Sequence, residues 1–328
     1  MNNQGVETAG FGSVRPLKIA VIGAGGIGGF IGGALAKSGQ DVWVIGRGKH
    51  LEAIRERGLI VDSVSLGKFQ TKVKATDQPS DIGVVDLVLF CVKSYDTETA
   101  LRSIGPMIGN DTTVLSFQNG VDNEDKIADA TGKTRVLGGA ISVESFIAEP
   151  GLIKQTSGPM RFAMGEMTGE ITDRAKKINT AFADAGLKCE LSNRIQEILW
   201  EKFLFICAAA GVCSVTRSAI GDVISYEKTR ELYESVMKEV EAVARSKGIK
   251  LAFDIVPRTL ALTDRVSKSM KPSMLRDLEL GKRLEIDALN GSVSKFGRQV
   301  SVPTPVDDFI YAALKIHDLK AIGSSTPI

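Results

Sequence analysis

Six residues, Gly23-Ala24-Gly25-Gly26-Ile27-Gly28, restrict the folds open to this chain more than any other segment. They follow a short β-rich run, Leu17-Lys18-Ile19-Ala20-Val21-Ile22, and precede small residues at helical spacing that continue to Gly39. Strand, tight turn and helix in that order give the glycines separate tasks. Gly23 permits the sharp turn, Gly25 lets the backbone approach a ligand closely, and Gly28 lets helix pack on strand. The helix start presents N–H groups with no partner inside the helix, which suits the phosphates of a dinucleotide. Gly23, Gly25, Gly26, Ile27 and Gly28 are therefore candidate cofactor-binding positions. A glycine-rich turn that binds nothing is the alternative.

The rest of the first half repeats the strand-and-helix alternation. A second strand runs over 41–45, and β-rich runs lie at 84–92, 113–117 and 135–137, separated by helix-forming segments at 97–104 and 122–130. This predicts a parallel, doubly wound α/β sheet of the Rossmann kind. The β-rich runs 152–155, 161–164 and 187–191 complete that sheet. After Ser192-Asn193 the pattern changes, and 194–215, 227–247 and 284–298 carry helical periodicity. A length of 328 residues favours two cores over one. The division predicted is a disordered tail over 1–16, a dinucleotide-binding domain over 17–192 and a mostly α-helical substrate domain over 193–328. The first sixteen residues lack the cationic start and apolar run of a secretory signal.

Charge and cysteine usage remove several function classes. A net charge of +2, with Lys and Arg interspersed among Asp and Glu, leaves no basic surface to neutralise a nucleic acid backbone. Cys91, Cys189, Cys207 and Cys213 form no CxxC pair, and with His50 and His317 as the only histidines no zinc-type cluster has a familiar spacing. Free thiols in a reducing, cytoplasmic compartment are expected, with no metal. The longest uncharged apolar stretch, 203–215, is thirteen residues, short of the ~20 that a membrane helix needs, and predicts a buried core helix.

The second strand ends Val44-Ile45-Gly46-Arg47. An NAD-binding strand would end in a carboxylate for the ribose 2′-hydroxyl. Arg47 instead offers charge-assisted bonds to a 2′-phosphate, which favours NADPH/NADP+; a solvated loop arginine is the alternative. Lys93 and Asn119 follow the strands at 84–92 and 113–117, at the edge where open α/β sheets bind ligands. For Asn119, in Gln118-Asn119-Gly120, a simple turn role stays open. Lys202 has Ile198 and Leu199 one turn before it and Phe205 and Ile206 one turn after. An ammonium in that setting has its pKa drawn toward neutrality, as a proton donor to a carbonyl requires, unless the side chain snorkels out of a core helix. Ser273, after Pro272, reads as a helix cap. One unbroken helix would hold Ser273 and Glu285 ~18 Å apart, so both meet one ligand only if Gly281-Lys282 breaks it.

Taken in order, these segments resemble the ketopantoate reductase family over nearly the whole chain. The markers are the glycine loop at Gly23, Arg47, Lys93, the Gln-Asn-Gly at Asn119, Leu-Trp-Glu-Lys ending at Lys202, Pro-Ser-Met-Leu-Arg-Asp from Pro272, and Leu-Glu-Ile-Asp-x-Leu-Asn-Gly around Glu285. The resemblance implies NADPH-dependent reduction of 2-dehydropantoate to pantoate, a step of pantothenate biosynthesis. It implies Lys202 as the proton donor, Glu285 as the carboxylate serving lysine and substrate, Ser273 and Asn119 as substrate contacts, and Arg47 and Lys93 as NADPH contacts. A homodimer is a possibility the sequence leaves open. The chain departs from the family where Asn is frequent, carrying Ile206, Ala210 and Met270 instead. Lost polar contacts point to a less hydroxylated or bulkier 2-oxo acid. Two alternatives therefore stand beside the family reaction: a reductase of another 2-oxo acid, and a non-catalytic NADPH-binding sensor.

Overall fold

The computed structural model describes residues 15–323, apart from the side chains of residues 157–159. The expected tail at 1–14 lies outside the described residues. Arg15, assigned to that tail, is instead tied to the sheet, its guanidinium donating to both carboxylate oxygens of Asp86 at 2.8 and 2.9 Å.

The first part builds one sheet. Its elements are β1 (Lys18–Ile22), α1 (Gly26–Lys37), β2 (Asp41–Ile45), α2 (Gly48–Arg57), β3 (Leu59–Ser63), β4 (Gly67–Thr71), β5 (Lys74–Thr76), β6 (Leu87–Phe90), α3 (Thr97–Leu101), β7 (Thr113–Ser116), α4 (Asn123–Thr131), β8 (Val136–Glu149), β9 (Leu152–Glu166), α5 (Asp173–Asp184) and β10 (Cys189–Leu191). The strand order is β4-β3-β9-β8-β7-β6-β1-β2-β5, with β10 paired to β9. β1 runs parallel to β2 on one side and to β6 on the other, so the chain reverses its direction of travel across the sheet at β1. Ligands bind beyond the carboxyl ends of strands at such a point.

Both sheet faces are covered, which explains why β1 is apolar and buried after Lys18, from Ile19 to Ile22. Ile19 and Val21 pack with Phe30 and Ile31 of α1, whereas Ala20 and Ile22 pack with Val88, Phe90 and Ile127 on the other face.

The sheet is dominated by parallel pairs, as expected, and has two antiparallel additions. One is β3 with β4. The other is β8 with β9, long strands turned at Pro150-Gly151, where Gly151 has φ +84°. The separate runs at 152–155 and 161–164 are thus one continuous strand, β9.

The second part is helical: α6 (Ile195–Thr216), α7 (Ile220–Ser225), α8 (Glu227–Ser246), α9 (Ile255–Thr263), α10 (Ser273–Glu279), α11 (Asn290–Gln299) and α12 (Pro305–Ile322). Helix α6 is its axis. Phe203, Leu204, Cys207 and Ala208 are at most 1% exposed and pack with Tyr233, Val236 and Val240 of α8 and Ile310 of α12. Trp200 meets the Phe203 ring edge-on at 5.5 Å and the Phe296 ring of α11 at 6.2 Å. At 22 residues α6 is long and apolar enough to cross a membrane by length and composition, and 67% of its most apolar window is buried inside the molecule.

Two local expectations need correction. The segment 284–298 is not helical from its start: α11 begins at Asn290, 282–285 is irregular, and 286–289 forms turns in which the Ala288 and Leu289 N–H groups both donate to the Glu285 carbonyl. Ser273 does not cap α10. The cap position is Pro272, and Ser273 is the first helical residue, exposed. The proline fixes the backbone entering the helix without a side-chain acceptor. The break at Gly281-Lys282 is present. Gly281 has φ +62°, and the Gly281 and Lys282 N–H groups close a Schellman turn on the carbonyls of Leu278 and Asp277. That turn sends the chain back toward the sheet edge with Glu285 on it.

Candidate active site

The carboxyl ends of β1, β6 and β7 deliver three loops to one edge. After β1, the glycine loop separates its residues by what surrounds them. A Cβ on Gly23 would meet Val92 N at 2.9 Å, one on Gly28 would meet Gly23 O at 2.1 Å, and one on Gly26 would meet Ser145 O of β8 at 2.2 Å. A Cβ on Gly25 would meet nothing within 4 Å. The loop is therefore locked against its own fold everywhere except at Gly25, which faces open space. Ile27 is half-buried against the sheet core. The start of α1 has no side-chain cap and no acidic residue in its first turn, so its N–H groups and positive dipole end remain available. These features fit a dinucleotide pyrophosphate.

His50 braces the loop from behind. Its Nε2 donates to Ala24 O at 2.9 Å, and its Nδ1 accepts from Gly151 N at 3.0 Å. This is the neutral tautomer, and burial lowers the His50 pKa accordingly, against the raising effect of the Ala24 bond. At the end of β2, Arg47 has an 89% exposed side chain whose guanidinium is 3.7 Å from Asp96.

After β6, Lys93 reaches across to the helical part. Its Nζ lies 2.8 Å from Asp277 and 3.1 Å from Glu285. Burial pulls its pKa down, but the two facing carboxylates outweigh burial and hold it above the ordinary lysine value. Glu285, 4% exposed, also accepts from the Ser94 backbone N–H at 3.0 Å and from Asn119 Nδ2 at 3.4 Å. Burial would protonate it; Lys93 and the Ser94 bond reverse that and leave it below the usual carboxylate range. After β7, Gln118 has a purely internal role: its Nε2 donates to Val92 O at 3.0 Å and Thr97 Oγ1 at 2.7 Å, tying β7 to the loop after β6. Gly120, at φ +106°, lets this loop pass close to the Ala288 carbonyl.

Lys202 completes the group from α6. Part of its side chain remains accessible, while its charged end is densely surrounded, and that burial draws its pKa down to about 8 against the opposing charges of Glu285 and Glu124. Glu285 directs its hydrogen bonding to Lys93, Ser94 and Asn119 and acts on Lys202 through charge.

Sequence reasoning missed Glu124. It stands in the first turn of α4, is 4% exposed, and its Oε2 has no hydrogen-bond partner. Burial raises its pKa to about 7; Asp122 and Asp125 push the same way, and its own backbone N–H and Lys202 oppose them. An acid early in a helix looks like an ordinary dipole partner in sequence, so only the tertiary fold singles it out. Of the expected site residues, Lys93, Asn119, Lys202 and Glu285 are brought together. Ser273 lies four residues before Asp277 on the same short helix, with its side chain exposed.

The family described as "Ketopantoate reductase PanE/ApbA" matches residues 19–169, and its C-terminal counterpart matches residues 194–318. The chain belongs to the ketopantoate reductase family. Among relatives, a 2-dehydropantoate 2-reductase of Pyrococcus horikoshii is 32% identical over 309 residues, spanning 94% of this chain and 100% of the relative. A PanE/ApbA family ketopantoate reductase from Ralstonia eutropha JMP134 superposes with a TM-score of 0.86 at 31% identity, over 93% of this chain and 100% of that one. A D-mandelate dehydrogenase, solved with NADH and anilino(oxo)acetate, superposes with a TM-score of 0.85 at 25% identity, over 93% and 100% of the two chains. As a ketopantoate reductase family member the chain is an oxidoreductase acting on CH–OH with a nicotinamide cofactor.

Proposed function

We propose that this family member reduces 2-dehydropantoate, or a closely related 2-oxo acid, to the 2-hydroxy acid, using NADPH held by residues 17–192 and substrate groups supplied mainly by 193–328. The observation that carries the reading is Lys202: an ammonium among apolar neighbours, drawn to about 8, at one edge with Glu285, Lys93 and Asn119. When bound, the cofactor supplies a hydride, two electrons and a proton nucleus, to the keto carbon. Lys202 gives its proton to the carbonyl oxygen as negative charge develops there, leaving a neutral amine that regains a proton from solvent. Glu285 stabilises the charged form of Lys202 before transfer. Asn119 and Ser273 orient the substrate. Lys93, between Asp277 and Glu285, keeps the buried carboxylate ionised and is placed to meet a cofactor entering at the end of β6.

Arg47 supports NADPH over NADH. It stands where a carboxylate would mark NAD, its side chain is largely exposed, and its described ionic neighbour, Asp96, is at the outer limit of an ion pair. The name of the D-mandelate dehydrogenase carries NADH and an aromatic oxo acid, so both nucleotides and more than one acid belong in the test.

Following the absorbance of the reduced nicotinamide with 2-dehydropantoate, we expect turnover with NADPH to exceed that with NADH. We expect Arg47→Ala to weaken NADPH by roughly ten- to hundredfold, the value of a charge-assisted bond, while leaving NADH nearly unaffected. Equal loss with both nucleotides would remove Arg47 from the 2′-phosphate. Tight NADPH binding with no acid reduced would favour a cofactor-binding protein without this chemistry.

A further inference from the structure

The wall of α6 that carries Lys202 has a distinct chemistry. At 100° per residue, Ile198, Phe205 and Ile206 lie within about 60° of Lys202 around the helix, and Lys202 is the one charged side chain on that arc. All three are half-buried, packed at their bases against the cores while retaining accessible surface. Farther along the same helix Ala209 and Ala210 are 1% exposed and bring no polar atom. Two more half-buried apolar side chains come from neighbouring loops. Val121, directly after Asn119-Gly120, packs both on the helical core and on the small cluster where α6 meets the sheet; Met270 stands just before α10. The polar groups of the site come from other elements: Lys93 and Ser94 after β6, Asn119 after β7, Asp277 on α10 and Glu285 on the segment leaving it.

The site is therefore polarised. One wall supplies charges and amide donors for a carboxylate and a carbonyl, and the wall flanking the proton donor supplies aliphatic and aromatic surface. We propose that the side chain of the preferred 2-oxo acid is apolar, branched alkyl or aryl, and lies along Ile206, Phe205 and Met270. This rests on the reading of Lys202 as proton donor to a 2-oxo acid. A hydroxymethyl group placed there would leave water without gaining a hydrogen-bond partner, whereas a methyl group of nearly the same shape loses nothing. Apolar walls reject an added hydroxyl only moderately, so the discrimination expected is about ten- to hundredfold.

The decisive pair is 2-dehydropantoate and 3,3-dimethyl-2-oxobutanoate, which differ by one hydroxyl, with phenylglyoxylate to test for aryl groups. The reaction balances identically for each: hydride to the keto carbon, the carbonyl electron pair to oxygen, one proton from Lys202 to that oxygen, and NADPH to NADP+. With wild-type protein and NADPH, kcat/KM for 3,3-dimethyl-2-oxobutanoate should exceed that for 2-dehydropantoate by about ten- to hundredfold. Ile206→Asn, checked by circular dichroism and NADPH titration, should bring that ratio close to one by raising the 2-dehydropantoate value. Equal use of the two acids, or a preference for 2-dehydropantoate, by wild-type protein would overturn the apolar side-chain pocket while leaving the reductase reading intact. A folded, NADPH-binding Ile206→Asn protein with an unchanged ratio would overturn it also. If NADPH binds and none of the three acids is reduced, the reductase reading fails and this inference fails with it.

Discussion

Lys202 is pulled two ways, and burial outweighs charge. Losing water lowers its pKa, Glu285 and Glu124 raise it, and the balance lies at about 8. Below that pH the residue is an ammonium and can donate; as pH rises through about 8 the donor is lost, so kcat/KM should fall along an alkaline limb there. Glu124, raised to about 7, is ionised only toward the alkaline side of neutrality. Glu124→Gln keeps the shape and removes a charge that favours the ammonium, so the alkaline limb should move to lower pH; a pH profile that stays in place would show that Glu124 has no hold on Lys202. Lys202 and Glu285 were legible in the sequence because a lysine among apolar helix positions is unusual and the surrounding segments resemble a family. Glu124 was not, because its neighbour Asp125 is equally acidic and exposed, and sequence does not reveal which of the two the fold buries.

At the scale of elements, the glycine loop makes two opposite demands within two adjacent residues. Gly26 abuts the Ser145 carbonyl, so Gly26→Ala should force backbone apart and cost about 1–3 kcal/mol of stability. Gly25 faces open space with φ −71°, so Gly25→Ala should leave stability unchanged or raise it by ~0.4–1 kcal/mol. The same alanine should weaken dinucleotide binding by about tenfold, ~1.4 kcal/mol, by holding the pyrophosphate off the backbone. Thermal unfolding and fluorescence titration of the two variants separate these effects; a Gly25→Ala protein that binds NADPH normally would contradict the role given to the loop. The strand, loop and helix were readable because fully buried parallel strands are continuous apolar runs. β4, one arm of the β3–β4 hairpin, was not, because Gly67-Lys68-Phe69-Gln70-Thr71 lies largely exposed and gains its order by pairing with β3. The β8–β9 hairpin was divided in the sequence because the polar stretch inside β9 breaks the apolar pattern while the backbone ladder continues.

Across the whole molecule, the two parts meet through charges drawn from both. Lys93 pairs with Asp277, Arg276 of α10 reaches Glu144 of β8 at 2.7 Å, and Arg283 lies 4.2 Å from the Tyr95 ring centre. The division into a sheet part and a helical part followed from the change in periodicity near residue 193. The cross-contacts did not, since residues as far apart as Lys93 and Glu285 become neighbours only when the Schellman turn at Gly281 redirects the chain. A cofactor that binds the folded chain alone should stabilise it by ~2.7 kcal/mol at a hundred times its Kd. NADPH should thus raise the Tm more than NADH at equal concentration, and equal shifts would count against the nucleotide preference. The most direct test of the central claim is the steady-state rate of NADPH oxidation with a 2-oxo acid by wild-type protein and by Lys202→Ala, both shown to bind NADPH. Loss of kcat/KM by roughly 10² to 10⁴ with cofactor binding intact is the predicted result. Wild-type turnover by Lys202→Ala would contradict it.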